Sequence, residues 1–287
     1  ILPFIKPVIT PRGKYESRPV WLLFLEENGI TGVGECAPLP GLSRETPEQV
    51  ENLLKEIIAA PEAFTSRPEL LSKVPSVRFA LEMAWLGLRQ GGKQVLFPSL
   101  FTDGQQGIPV NGLIWIGEKD DQERQIREKL EAGFRCIKLK IGALRFEEEL
   151  ELLEALRTEG CSYALTLRVD ANGAFKPEEA LAKLERLAHF EIHSIEQPIA
   201  PGNPEQMARL CNETPVPIAL DEELIGINSR EAKEELLDTI RPHFLVLKPS
   251  LHGGFAGCNE WIELAEQRSV GWWITSYLES AIGLNAI

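Results

Sequence analysis

The stretch Phe134–Gly142, FRCIKLKIG, decides the fold. A strand's period of two sets Ile137, Leu139 and Ile141 on one face and Lys138 with Lys140 on the other. The apolar face asks for a covering layer. Two like charges side by side ask for a destination, because helices cover the outside of a parallel barrel and leave a charged strand face only the interior.

From residue 107 onward the chain repeats strand, then helix. Strands read at IPVNGLIW (108–115), RCIKLKI (135–141), ALTLRVD (164–170), IHSIE (192–196), PVPIAL (215–220), HFLVLK (243–248) and GWWITS (271–276). Polar-faced helical segments lie between them, among them DDQERQIREKLEAG and PEEALAKLERLAHF. This alternation implies a parallel sheet, and seven strands in so short a span favour a closed barrel over a doubly wound sheet. No GxGxxG follows any of the strands.

Five consecutive strands finish on a charge: Lys140, Asp170, Glu196, Asp221 and Lys248, at intervals of 30, 26, 25 and 27 residues. One βα unit has that length, so all five groups fall at the C-terminal mouth, where barrel active sites are built. A single strand-end charge commonly marks only where the chain meets water; five in register do not.

The three carboxylates are adjacent in the series and would repel each other unless a cation lay between them. Hard oxygen ligands suit Mg²⁺, with Mn²⁺ as a substitute, and the absence of His and Cys at these positions argues against zinc. Lysines flank the carboxylates. Beside another ammonium and a divalent cation a lysine's pKa is expected to fall, which makes it a base near neutral pH. Bases flanking such a cation can remove a proton next to a carboxylate while the cation stabilises the enediolate.

The first hundred residues differ, reading as strands followed by helices. PVWLLFLEE (19–27) and ITGVGECA (30–37) flank Asn28-Gly29, a strong hairpin signal. Thr46, Pro47 and Gln49 spell a capping box at a helix start, and Val77, Leu81, Ala84 and Leu88 form the apolar face of a helix over 76–90. The expected division is a small α+β domain over 1–100 and a barrel domain over 101–287.

The net charge of −13 over 287 residues argues against nucleic acid and for a diffusible small-molecule partner. Neither a membrane-length apolar run nor a secretion signal is visible, so a cytoplasmic location is expected. Cys36, Cys136, Cys161, Cys211 and Cys258 form no CxxC pair and read as reduced, buried thiols. The chain opens at Ile1 without methionine and ends on SAIGLNAI, which reads as the start of a helix, so further residues are expected at both ends.

The motifs KLK (138–140), RVDANGAF (168–175), IEQP (195–198), ALDEEL (219–224) and VLKPS (246–250) together resemble the enolase superfamily in its muconate-lactonising-like branch. GECAPLPGLSRET (34–46), RFALEMAWL (78–86), PVNGLIW (109–115) and LKPSLHGGF (247–255) make the likeness strongest to the o-succinylbenzoate synthase family. The resemblance implies a modified TIM barrel, (β/α)7β, under an N-terminal α+β capping domain, with the C-terminal segment returning to the cap. It implies Mg²⁺ on Asp170, Glu196 and Asp221, Lys140 as acid/base, Lys138 as its electrostatic support and Lys248 across the substrate. The implied reaction is dehydration of a small-molecule carboxylate.

Asn172 is implied as a residue behind the metal ligands, with turn-shaping as the alternative. Ser276 and the backbone at Gly253-Gly254 are candidate substrate contacts, and the loops 10–17 and 36–43 are candidate lids. His189, His193, His243 and His252 read as structural. A dipeptide epimerase, an N-acylamino-acid racemase or a muconate cycloisomerase would share the metal and lysines. A Schiff-base aldolase or a non-catalytic barrel is the alternative of another class.

Overall fold

In a computed structural model, which describes residues 1–10, 13–159 and 165–287, the strand β6 (Cys136–Lys140) is paired on both sides. It belongs to a parallel sheet whose other strands are β5 (Gly112–Ile114), β7 (Thr166–Asp170), β8 (Ser194–Glu196), β9 (Ile218–Leu220), β10 (Phe244–Leu247) and β11 (Gly271–Ile274). They lie side by side in chain order, β5 through β11. A doubly wound sheet reverses its order at a switch point. This one never does, and it curls as a barrel wall.

The helices α4 (Lys119–Glu131), α5 (Phe146–Glu159), α6 (Pro177–Ala188), α7 (Pro204–Glu213), α8 (Arg230–Ile240) and α9 (Gly254–Glu266) connect the strands. Ile137, Leu139 and Ile141 are fully buried in one core with Leu152, Leu153 and Leu156 of α5. The apolar face of the opening stretch is thus the outward one, covered by helices. Burying each such side chain contributes about 1.5–3 kcal/mol, and the opposite, lysine-bearing face is left for the interior.

The first part of the chain builds a second core. β3 (Trp21–Glu27) and β4 (Ile30–Cys36) pair antiparallel about Asn28 and Gly29, both at positive φ. α1 (Pro47–Ala59) starts on the expected capping box, with Gln49 N–H donating to Thr46 Oγ1 at 3.2 Å and Thr46 N–H donating to Gln49 Oε1 at 2.8 Å. α2 (Pro61–Ser66) follows, and α3 (Pro75–Arg89) packs Val77, Ala80, Leu81 and Ala84 against Leu23, Val50 and Ile57. α3 crosses β4 in backbone contact: a Cβ added at Gly32 or Gly34 would meet the Ala84 or Ala80 carbonyl oxygen at 1.8 Å.

Two expectations change. The segment 10–17 was expected to be a lid loop, but β1 (Leu2–Thr10) and β2 (Gly13–Arg18) form a hairpin, of which residues 11 and 12 lie outside the described residues. Lys6, Lys14 and Glu16 interrupt any apolar alternation there, which hid the strands. The strand expected over 108–115 is shortened to Gly112–Ile114. Among the described residues the parallel sheet has seven strands, and α10 (Ala281–Ala286) packs on β4 of the first part. Among the described residues no helix is long and apolar enough to cross a membrane, and the four described cysteines are free; Cys161 lies outside them.

The α3–β4 contact allows a direct test. Gly34→Ala is expected to cost about 1–3 kcal/mol, seen as a lowered thermal midpoint, because the added methyl meets rigid backbone.

Candidate active site

Lys140 pairs in register with Asp170, and Asp170 with Glu196, so the first three strand-end charges stand level. Asp221 and Lys248 each follow the last residue of their strands, β9 and β10. All five side chains are buried or nearly so, Lys140 and Lys248 being 9% exposed and the carboxylates 1–2%. Lys138, Lys140, Asp170, Glu196 and Lys248 line one cavity of about 1150 Å³, whose walls include Trp115, Phe97, Phe101 and Trp273.

Lys138 Nζ lies 2.9 Å from Glu196 Oε2 and 3.2 Å from Asp170 Oδ2. Lys140 Nζ donates to Asp170 Oδ2 at 2.8 Å and to Asn172 Oδ1 at 2.6 Å. Lys248 Nζ donates to Asp221 Oδ2. The Lys140 ammonium is also 6.0 Å from the Trp115 ring centroid, a weak cation–π contact that helps hold it against the cavity wall.

Burial works against every charge here, and the partners decide each outcome. For Asp170 burial opposes ionisation, but the ammonium groups of Lys140 and Lys138 outweigh it and hold the carboxyl well below its ordinary range. Burial, reinforced by the Asp170 charge, pushes Glu196 up to about 8, and burial likewise raises Asp221. A fall was expected for the lysines beside a divalent cation; set against the carboxylates alone, Lys138 is raised. Burial pulls it down, yet the charges of Glu196 and Asp170 override it; Lys248 is raised in the same way, chiefly by Asp221. The expected fall presupposed cations as the nearest neighbours, whereas these ammonium groups face carboxylates.

Among the described residues no three acidic, histidine or cysteine side chains are grouped to hold a metal ion as they stand, because each carboxylate is turned onto a lysine. The donor set nevertheless suits a hard divalent cation. Glu196 Oε1 and Asp221 Oδ1 are buried without a hydrogen-bond partner, and both carboxyls are held above their ordinary range by burial that an added positive charge would offset.

Ser276 lines the cavity, as do Tyr15, Leu39 and Leu42 from the two segments expected to cover the mouth. Gly254 does not. Its N–H donates to Pro249 O, and the α9 N-terminus behind it is taken by Glu82 of α3, whose Oε2 accepts from Phe255 N–H and Ala256 N–H. The backbone at Gly253-Gly254 was expected as a substrate contact; it opens a helix N-terminus that already holds an internal carboxylate.

Several residues of the site lie within the quoted motifs but were given no site role from the sequence. Gln197, fully buried at φ 40, accepts from the Asp221 and Glu223 N–H groups at 3.2 Å each and so fixes the chain at Asp221. His252 accepts from Lys248 N–H at 3.0 Å through Nδ1, and burial with the nearby Lys248 charge holds it down to about 3, a neutral acceptor. Glu222 accepts from Asn172 Nδ2 at 3.0 Å. Arg168 stacks 4.0 Å from the Trp273 ring; its position two residues before Asp170 on β7 was the available clue.

Residues 121–287 match the family model described as enolase C-terminal domain-like. The chain belongs to the enolase superfamily. Residues 1–88 match the model described as MenC, N-terminal domain. An o-succinylbenzoate synthase of Desulfotalea psychrophila is 44% identical over 99% of this chain and 86% of that one. The crystal structure of MenC from Desulfotalea psychrophila LSv54 superposes with a TM-score of 0.81 at 42% identity, covering 98% and 87% of the two chains. The enolase-superfamily fold is shared further with a dipeptide epimerase of Enterococcus faecalis V583, solved with Mg and the dipeptide L-Leu-L-Tyr, at a TM-score of 0.84, 21% identity and coverage of 99% and 82%.

The Glu82 contact has a measurable worth. Glu82→Ala removes charge-assisted hydrogen bonds to two backbone N–H groups and is expected to cost about 1.5–3 kcal/mol, read from the midpoint of chemical unfolding. Glu82→Gln, which keeps one accepting oxygen, should recover part of the loss.

Proposed function

We propose that the chain catalyses the o-succinylbenzoate synthase reaction, the Mg²⁺-dependent syn-dehydration of 2-succinyl-6-hydroxy-2,4-cyclohexadiene-1-carboxylate to 2-succinylbenzoate in menaquinone biosynthesis. The observation that carries its proton-abstraction chemistry is the placement of lysines on both sides of a buried carboxylate cluster: Lys138 and Lys140 on β6, and Lys248 beyond β10. The match of residues 1–88 favours this reaction over the epimerase, racemase and cycloisomerase alternatives, since the parts over the mouth supply substrate choice.

Asp170, Glu196 and Asp221 would hold Mg²⁺, on which members of the superfamily depend. When bound, the ion supplies positive charge at the carboxylate of the reacting carbon, which lowers the cost of removing the neighbouring proton. Lys140 Nζ, as the free amine, takes that C1 proton. The C–H electron pair becomes the new ring double bond as the C6 hydroxyl leaves, and Lys140 returns the proton so that water departs. Lys248, opposite, stabilises the negative charge as a cation, and Lys138 supports Lys140 electrostatically. Aromatisation supplies driving force.

We further propose that the chain divides into domains 1–100 and 101–287, each with a hydrophobic core of its own beside smaller clusters that join the two parts, and that it acts in the cytoplasm on a diffusible carboxylate.

Lys140→Ala is expected to abolish exchange of the substrate's α-proton with deuterated solvent, a loss of about 100- to 10,000-fold or more. Lys138→Ala should slow the exchange and shift its pH dependence. Treatment with EDTA should remove activity and Mg²⁺ restore it; activity that survives EDTA and is trapped by borohydride would instead indicate a Schiff base. Assay against the synthase substrate and a dipeptide panel separates the readings. Epimerisation without dehydration would sink the proposed reaction.

A further inference from the structure

The proton carrier proposed above is held by a side chain with two chemically opposite ends. Asn172 stands two residues past Asp170 at φ 44, in the left-handed region that asparagine tolerates, and its N–H donates to Asp170 Oδ1 at 3.1 Å. Its amide lies between Lys140 and Glu222: Oδ1 is 2.6 Å from Lys140 Nζ, and Nδ2 is 3.0 Å from Glu222 Oε1. Turned over, the amide would set its NH₂ group against a donor on one side and its oxygen against a carboxylate on the other. The two orientations cost the side chain itself almost the same, so the neighbours choose between them.

Lys140 alone chooses weakly, because its Nζ sits on a flexible stem and can leave Asn172 for Asp170. Glu222 is a fixed partner, 5% exposed, in a short 3-10 turn that opens directly after Asp221. A carboxylate that accepts from Nδ2 locks Oδ1 toward Lys140. The nitrogen of Lys140 then has Cε and two engaged N–H bonds, to Asp170 and Asn172. One tetrahedral position remains, and it is the one that must carry the transferred proton or the lone pair.

We propose that Glu222 is a positioning residue for proton transfer: by fixing the orientation of the Asn172 amide it aims the free position of Lys140 into the cavity. This rests on the reading of Lys140 as the proton carrier. Glu222 stands in the cavity wall, and the role proposed for it is the one it exerts on Lys140 through Asn172.

A mutant cycle tests it. In Glu222→Leu, kcat and the rate of α-proton exchange are expected to fall about 10- to 100-fold with KM nearly unchanged. Glu222→Gln, which can still accept from Nδ2, should recover most of that loss. Adding Glu222→Leu to Asn172→Leu should cost nothing more. Rates of Glu222→Leu equal to wild type, equal losses in kcat and in substrate binding, or full additivity in the double variant each overturn the proposal. The side-chain amide signal of Asn172 in ¹⁵N-labelled protein gives a readout without turnover. It should move in both Glu222→Gln and Glu222→Leu, and an unmoved signal overturns the proposal even where the leucine variant fails to fold. Intact turnover in Lys140→Ala would bring down the proton-carrier reading instead, and that result is separate from the amide signal.

Discussion

Everything at the mouth of this sheet follows from the need to neutralise buried carboxylates. Parallel register puts Lys140, Asp170 and Glu196 side by side, and the turns after β9 and β10 add Asp221 and Lys248. Removing one member of a buried pair leaves a charge stranded in low dielectric, at a cost of about 3–5 kcal/mol. The lysines therefore take up the carboxylates, and the carboxylates hold Lys138 and Lys248 in their charged form. That arrangement is stable but unsuited to base catalysis. A lysine that must accept a proton needs the charge of its carboxylate partners offset by another cation, so the orphaned oxygens of Glu196 and Asp221 and the raised lysines are two sides of one electrostatic demand.

A second use of glutamate, buried at Glu35 and partly buried at Glu82, holds the first part of the chain over that mouth. Glu35 on β4 accepts from Ser280 N–H at 2.8 Å and Gly283 N–H at 2.7 Å at the start of α10, and Glu82 on α3 accepts from the first turn of α9. Within the sheet region Glu149 does the same for the turn after β6, taking the N–H groups of Gly142, Ala143 and Leu144. Arg18 adds the reverse polarity, donating at 2.6 Å to the carbonyls of Tyr277 and Leu278 beside the cavity. Phe79 and Phe97 pack edge-on against Phe255, so the polar contacts sit around an aromatic centre.

The barrel, the hairpin at Asn28-Gly29 and the capping box at Thr46 were legible because each rests on periodicity or spacing within one element. The five strand-end charges were legible for the same reason, repeated at the length of a βα unit. What escaped was set by long-range contact. Glu82 meets Phe255 across 173 positions and Glu35 meets Ser280 across 245, and no local pattern marks either. The same holds at Gly253-Gly254, where the glycine pair opens a helix N-terminus and a carboxylate from α3 fills it. The β1–β2 hairpin escaped for a different reason, since its residues are largely exposed on both faces and carry no alternation.

The partner chemistry of the buried carboxyls separates scaffold from site. Glu35, Glu82 and Glu149 each accept from two or more backbone N–H groups, partners that cannot move away or titrate, with Ser280 Oγ added at Glu35 and Arg78 at Glu82, and so they hold one geometry. Glu196 and Asp221 meet lysines with one oxygen and nothing with the other. Lysines are mobile and titratable, so these two carboxyls can exchange partners without loss of the fold. Gln197 and His252 reinforce the difference by fixing the backbone under Asp221 and Lys248 while leaving both side chains free to respond. A rigid main chain beneath exchangeable side-chain partners is what a site must have if it is to admit a cation and a substrate carboxylate in turn.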